Sequence, residues 1–223
     1  EVRKFETELE SFFSRPVVAL NSGTSALHAA LQACGIGNGD EVLVPSFTYV
    51  ASFQAISATG AIPIPCDIDD TLHLDPDDAK NRITGKTRAI MPVHYGGSMG
   101  RLDALYTLAK KNDLRVIEDA AHAFGSSYKK QLVGSVGDIA CFSFDGIKNI
   151  TSGEGGCVVT SDVECLEKIK DLRLLGVSND SEKRYNQSRS WDFDVTHQGW
   201  RYHMSDIMAA LGRCQLKRFS DIS

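Results

Sequence analysis

Apolar and polar positions alternate in blocks along the chain. Val2, Phe5, Leu9 and Phe12 recur at helical spacing, which predicts a first helix over Glu1 to Phe13. Pro16 to Leu20 is a short apolar strand. After Asn21-Ser-Gly-Thr-Ser25 come Ala26, Leu27, Ala30 and Leu31, a helix that ends near Gly35. Glu41 to Val44 is a strand stopped by Pro45, and Phe47 to about Thr59 is helical. Ala61 to Pro65 is extended, Asp75-Pro76 caps a helix with proline at its first position, and Thr87 to Val93 is a strand leading to His94. Leu102 to Asn112 is an amphipathic helix and Leu114 to Ile117 a strand. Ile139 to Phe144 and Cys157 to Thr160 are further strands; Val163 to Leu174 is helix. Gly176 to His197 is polar and aperiodic, a long loop with Trp191 and Phe193 as candidate anchors. Ser205 caps a last helix that runs to Phe219.

Strands alternate with helices, and several strands are unbroken apolar runs. That pattern predicts an α/β fold, a mostly parallel sheet covered by helices on both faces. The residues with chemistry to offer follow strand ends: Ser22 to Ser25, Tyr49, His94, Asp119 and Lys148. Open α/β sheets bind ligands at the carboxyl ends of their strands.

Composition narrows the class. Of 223 residues, 42% are hydrophobic and 24% charged, enough apolar material for a sizeable core. A formal net charge of -5 speaks against a nucleic-acid or anionic-membrane surface. No apolar run reaches membrane-span length, and no secretory signal is visible. The six cysteines have no C-x-x-C spacing and most sit in apolar runs, so they read as buried free thiols of a cytoplasmic protein. In that compartment Asn149-Ile-Thr151 is a chance sequon.

The most informative stretch is Cys141 to Gly156, where Lys148 sits in a glycine-rich turn between two apolar strands. Such a lysine suits a Schiff base, because burial and nearby cations lower an ammonium's pKa. It also suits a plain hairpin whose lysine reaches outward. Gly23, Thr24 and Ser25 at a helix start suit a phosphate, through free amides, hydroxyls and the helix dipole; an ordinary N-cap explains them equally. Asp119 follows a strand and suits a ring nitrogen that must stay protonated, although Glu118 competes for that role. Tyr49 is a platform for a ring or a core aromatic, and His122 a catalytic or a structural histidine. Taken together, with Ser143 as a further donor, these parts describe the partners of pyridoxal 5′-phosphate.

Five blocks resemble the DegT-type nucleotide-sugar aminotransferases, a branch of the fold-type I pyridoxal phosphate enzymes. They are Asn21 to Leu27, Pro45 to Ser52, Glu118 to Gly125, Ser143 to Asn149 with Gly153 to Gly156, and Gly199 to Asp206, in family order over almost the whole chain. The resemblance implies an aspartate-aminotransferase-like large domain over residues 1–223, with 176–198 as a long loop and 205–220 leading towards a small C-terminal domain absent from this chain. It implies that Lys148 carries the cofactor and moves the proton, Asp119 pairs with the ring nitrogen, and His122 sits near the ring hydroxyl. Thr24, Ser25 and Ser143 would bind phosphate and Tyr49 would stack on the ring. The implied reaction moves an amino group from an amino acid, glutamate, to a nucleotide-linked keto-sugar, in amino-sugar or glycan biosynthesis, within a cytoplasmic homodimer.

Where many relatives read Gly-Tyr-Asn-Tyr-Arg-Met, with the asparagine reaching the neighbouring subunit's phosphate, this chain has Arg201 and His203. Arg201 keeps the capacity to bind phosphate. Two alternatives use the same cofactor. One is a dehydratase, a group that includes members with histidine in place of the lysine, against which Lys148 speaks. The other is a catalytically silent cofactor-binding regulator. A nucleotide-binding dehydrogenase is disfavoured because no G-x-G-x-x-G follows the first strand.

Overall fold

The computed structural model describes residues 1–177, 195 and 197–222. Its centre is a seven-stranded sheet in the order β1-β9-β8-β5-β4-β2-β3. The strands are β1 (Val17–Leu20), β2 (Glu41–Pro45), β3 (Ile62–Cys66), β4 (Thr87–Ile90), β5 (Arg115–Asp119), β8 (Ile139–Ser143) and β9 (Gly156–Thr160). From β8 through β3 the pairing is parallel. β9 runs against both its neighbours, so it alone is reversed. The sheet is therefore mostly parallel, as the unbroken apolar runs predict.

Burial confirms helical cover on both faces, since every residue of β1, β8 and β9 is buried. Alternation divides these strands between two cores. Val18, Leu20, Ile139, Cys141 and Val158 pack with α2 (Gly23–Ala33) and α6 (Val163–Leu172). Val17, Ala19, Ala140, Phe142, Cys157 and Val159 pack with α1 (Val2–Phe13) and α7 (Asp206–Lys217). α1 turns Phe5, Leu9 and Phe13 fully inward, while Phe12 is half-buried and stacks on Phe124 at 4.9 Å. Burying each of those three side chains contributes about 1.5–3 kcal/mol. α3 (Val50–Ala58), α4 (Pro76–Arg82), α5 (Leu102–Lys111) and a short α8 (Phe219–Ile222) complete the helices.

Three boundaries differ from the periodicity. The helix expected from Phe47 starts at Val50, because Thr48 and Tyr49 form its lead-in and cap. β5 runs two residues past Ile117, to Asp119. β3 takes two prolines because it is the sheet's edge strand, where missing donors cost least. A small hairpin, β6 (Ser127–Tyr128) with β7 (Gln131–Leu132), has no sequence signal: Lys129 and Lys130 turn it at φ 51° and 69° in place of Asn-Gly. Most of the expected long loop, including Trp191 and Phe193, lies outside the described residues; its ends meet at a Val177–Val195 bridge. Among the described residues no helix is long and apolar enough to cross a membrane.

Candidate active site

The carboxyl ends of β1, β2, β5 and β8 open on one side of the sheet, and the reversed β9 starts there. A cavity of about 550 Å³ occupies that side. Its walls include Ser22, Gly23, Thr24, Tyr49, His94, Asp119, His122, Ser143 and Lys148. Residues up to 126 positions apart in sequence, from Ser22 to Lys148, thus share one space because each follows a strand that ends at the same edge.

At one end of the cavity is the N-terminus of α2. Ser22 caps it, and Ser25 completes a reciprocal capping box. The amides of Gly23 and Thr24, at the first two helical positions, are left without an intrahelical partner and free for an anion. A Cβ on Gly23 would lie 2.8 Å from Ser143 Cβ, and one on Gly156 would lie 2.4 Å from the Ser22 carbonyl oxygen. Only glycines let the helix start seat directly on the ends of β8 and β9. The Ser143 hydroxyl, 8% exposed as a residue, is thereby brought beside those amides.

Ser25 departs from the expectation of a phosphate ligand. It is buried, its hydroxyl donates to Asn21 Oδ1 at 2.8 Å or the Ser22 carbonyl at 2.8 Å, and it is not on the cavity wall. The cap consumes it, and Ser22 takes its place at the wall.

The two adjacent carboxylates separate by strand alternation. Asp119 faces the cavity, 6% exposed; Oδ2 accepts from Ser52 Oγ at 2.7 Å and Oδ1 from the Ala121 amide at 3.2 Å. Glu118 points to the other face, where it bonds His94 Nε2 at 2.6 Å and the Tyr106 hydroxyl. That contact pushes the Tyr106 phenol far up, with burial as the larger cause. Glu118 is structural, and His94, named as a strand-end candidate, is its buried partner.

Lys148 lies in the β8–β9 connection, half-buried on the cavity wall. It does not reach outward as in a plain hairpin. Its amide donates to the Asp145 carbonyl at 3.1 Å, and Asn149 Nδ2 ties the loop to the carbonyls of His122 and Phe124. His122 shares the wall. Its pKa is lowered, first by burial and then by the Lys148 charge, with Asp119 opposing. Nδ1 accepts a long hydrogen bond from the Gly96 amide at 3.4 Å, and the ring lies 5.8 Å from Tyr95. Tyr49 is no core aromatic; it is 75% exposed, at the cavity rim where α3 begins.

Arg201 is not brought to this cavity. It is exposed, its backbone bridges Leu174, and its carbonyl accepts from Asn21 Nδ2 at 3.3 Å. Its strand is held against the phosphate turn through the Asn21 amide and the Tyr202 carbonyl at 2.7 Å. Ser52 and Asn149, which position Asp119 and the lysine loop, were not singled out by the sequence. Each lay inside a recognised block, but a hydroxyl or amide that bonds another side chain leaves no spacing signal.

The donor set fits pyridoxal phosphate. A glycine-lined helix start and two hydroxyls meet the phosphate, a lysine the aldehyde, a buried carboxylate the ring nitrogen, and an exposed tyrosine the ring face. Sheet order and site together match the large domain of the aspartate-aminotransferase-like fold.

The model of the DegT/DnrJ/EryC1/StrS aminotransferase family matches residues 1–223, and the chain belongs to that family. It is 42% identical over 224 residues to the spore coat polysaccharide biosynthesis protein SpsC of Bacillus subtilis, covering 100% of this chain and 58% of SpsC. The putative sugar aminotransferase Spr1654 of Streptococcus pneumoniae, solved in its PMP form, superposes with a TM-score of 0.91 at 35% identity, over 99% of this chain and 61% of that one. DesI, solved in the presence of its TDP-sugar product, superposes with a TM-score of 0.86 at 33% identity, over 99% of this chain and 53% of DesI. The chain thus spans somewhat more than half the length of these relatives.

Proposed function

We propose that the protein transfers an amino group from an amino acid, glutamate, to a nucleotide-linked keto-sugar, for amino-sugar or glycan biosynthesis. The observation that carries this reading is the meeting of Lys148, Asp119 and the α2 N-terminus around one cavity. The sugar acceptor is supported by the TDP-sugar product in whose presence DesI was solved and by the similarity to SpsC, a spore coat polysaccharide biosynthesis protein.

In this reading Gly23 and Thr24 hold the phosphate through their amides, with the hydroxyls of Thr24 and Ser143. Asp119 keeps the ring nitrogen protonated, and Tyr49 covers the ring face. His122 sits by the ring hydroxyl; its lowered pKa keeps it neutral near pH 7, so it adds no second positive charge beside Lys148. Lys148 would hold the cofactor through its Nζ and, once freed, would take up and return a proton at that atom. The cofactor, when bound, supplies the electron sink that lets a carbon-bound proton leave.

Arg201, exposed on a strand anchored to the phosphate turn, serves a partner subunit's phosphate in a homodimer. The small domain of the longer relatives supplies the remaining substrate contacts.

Borohydride tests the reading directly. Treatment of the holoprotein abolishes the near-visible band and leaves a reduced cofactor adduct on Lys148, read by peptide mass spectrometry. Lys148→Ala shows neither band nor adduct. A wild-type holoprotein with no cofactor mass on Lys148 overturns the proposal. Glutamate alone converts the active protein to its pyridoxamine form; a protein that binds cofactor but never converts is the silent regulator instead.

A further inference from the structure

Behind Asp119 lies a short chain of hydroxyls. Ser52, fully buried in the first turn of α3, places Oγ 2.7 Å from Asp119 Oδ2 and 2.8 Å from Thr48 Oγ1. A serine has one proton to give. An ionised carboxylate only accepts, so Ser52 spends its proton on Asp119. The Thr48 hydroxyl must then donate to Ser52. The order of donation, Thr48 to Ser52 to Asp119, is fixed by this count.

The arrangement constrains the carboxylate at both oxygens. Oδ2 is held by Ser52 and Oδ1 by the Ala121 amide. The α3 helix start, whose first turn holds Ser52, adds its positive dipole end on the same side. A buried carboxylate with a single weak tether would rotate or take up a proton. With both oxygens bound it keeps one orientation towards the cavity.

We propose that Ser52, supported by Thr48, is a positioning residue that keeps the Asp119 carboxylate aimed at the cofactor's ring nitrogen. The inference rests on the pyridoxal phosphate reading of the cavity. It adds that the charge partner is set from α3, which otherwise lends the cavity wall its Tyr49 cap and Ala51.

The readout is the colour of the lysine-linked cofactor against pH in the holoprotein. A ring nitrogen kept protonated by Asp119 lowers the proton affinity of the nitrogen joined to Lys148, as any nearby positive charge does. Ser52→Ala loosens Asp119, weakens the ring charge and moves the midpoint of the colour change upward. It also weakens retention of pyridoxal phosphate by about tenfold, the scale of one hydrogen bond to a charged group. The other titratable groups on the wall, Tyr49, His94, Tyr95, His122, Cys141, Asp145, Lys148 and Glu154, keep their side chains in this variant. A merely structural serine would lower the melting temperature of the cofactor-free protein and leave the midpoint in place.

Thr48→Val keeps the Ser52–Asp119 bond but removes its support, so it shifts the midpoint in the same direction by less; Thr48→Ser restores it. Should Ser52→Ala not fold, the Thr48 pair decides. Folded variants with the wild-type midpoint and wild-type cofactor affinity overturn the role of Ser52 alone. A wild-type protein with no band at any pH overturns the cofactor reading, and this inference with it.

Discussion

Glu118 and Asp119 are neighbours in sequence and opposites in use. Asp119 faces the cavity, and Asp119→Asn is expected to leave the cofactor-free fold intact while amino transfer falls by orders of magnitude. Glu118→Ala removes the hydrogen-bond partner of His94 and Tyr106, at a cost of about 1–3 kcal/mol for each buried polar group left unsatisfied. Thermal melting and single-turnover assays on both variants separate the two effects; equal loss of stability in both would contradict the assignment. The sequence put both carboxylates at one strand end but could not choose between them, because the choice is made by which way each side chain faces. The cysteines show the same limit. Burial pushes the Cys66 thiol up to about 12 and also raises Cys141 and Cys157, whereas Cys34 is half-buried and Cys214 exposed on α7. Only four of the six are buried as expected. In the native protein a thiol reagent is therefore expected to label Cys214 and Cys34 first, and Cys66, Cys141 and Cys157 only on unfolding, as peptide mapping would read.

At the scale of elements, α2 is the piece with two jobs. Its start is the proposed anion site and its body fills the core. Gly23→Ala pushes a methyl against Ser143 Cβ, and something must shift. The expected result is cofactor binding weakened by at least about tenfold, with a loss of about 1–3 kcal/mol from overpacking. Equilibrium dialysis with pyridoxal phosphate checks it; unchanged affinity would mean that the helix start is not the anion site. Further along the helix, the buried His28 bonds the Tyr202 hydroxyl at 3.0 Å. This joins α2 to the segment that carries Arg201. The helix itself was legible from Ala26, Leu27, Ala30 and Leu31. The conflict between cap and phosphate site at Ser22 to Ser25 was not, and the structure resolves it by division: Ser25 caps, Ser22 both caps and lines the cavity, and Gly23 and Thr24 keep free amides.

For the whole molecule, three histidines set a pH trend. His28, His122 and His203 all have pKa values lowered from 6.5, burial being the first cause in each. The unfolded chain therefore takes up these protons at a higher pH than the folded one. Stability is full above 6.5 and is lost as pH falls through it towards the lowered values. The melting temperature should drop between pH 7.5 and 5.5; a flat or rising profile would contradict the buried, neutral state of these rings. The proposed homodimer is tested at the same scale. Light scattering of the active protein should give a dimer, and Arg201→Ala should weaken cofactor retention even though the residue lies outside its own chain's cavity. An active monomer would remove the basis for that role.

The sequence by itself determined the strands, the helices and the class of sheet, because unbroken apolar runs are stable only when covered on both faces. It also determined the identity of the chemistry, because Lys148, Asp119 and the Gly23–Thr24 turn each follow a strand and match one cofactor. What only the tertiary structure decided is which atoms face one another. The reversal of β9 brings the lysine loop to the edge where β1, β5 and β8 end, and strand pairing over long separations fixes that, not local pattern. Side-chain direction then sends Asp119 inward and Glu118 away, and it lets Ser52 meet Asp119 across 67 residues. Such contacts depend on packing between elements, to which the period of any single element is blind.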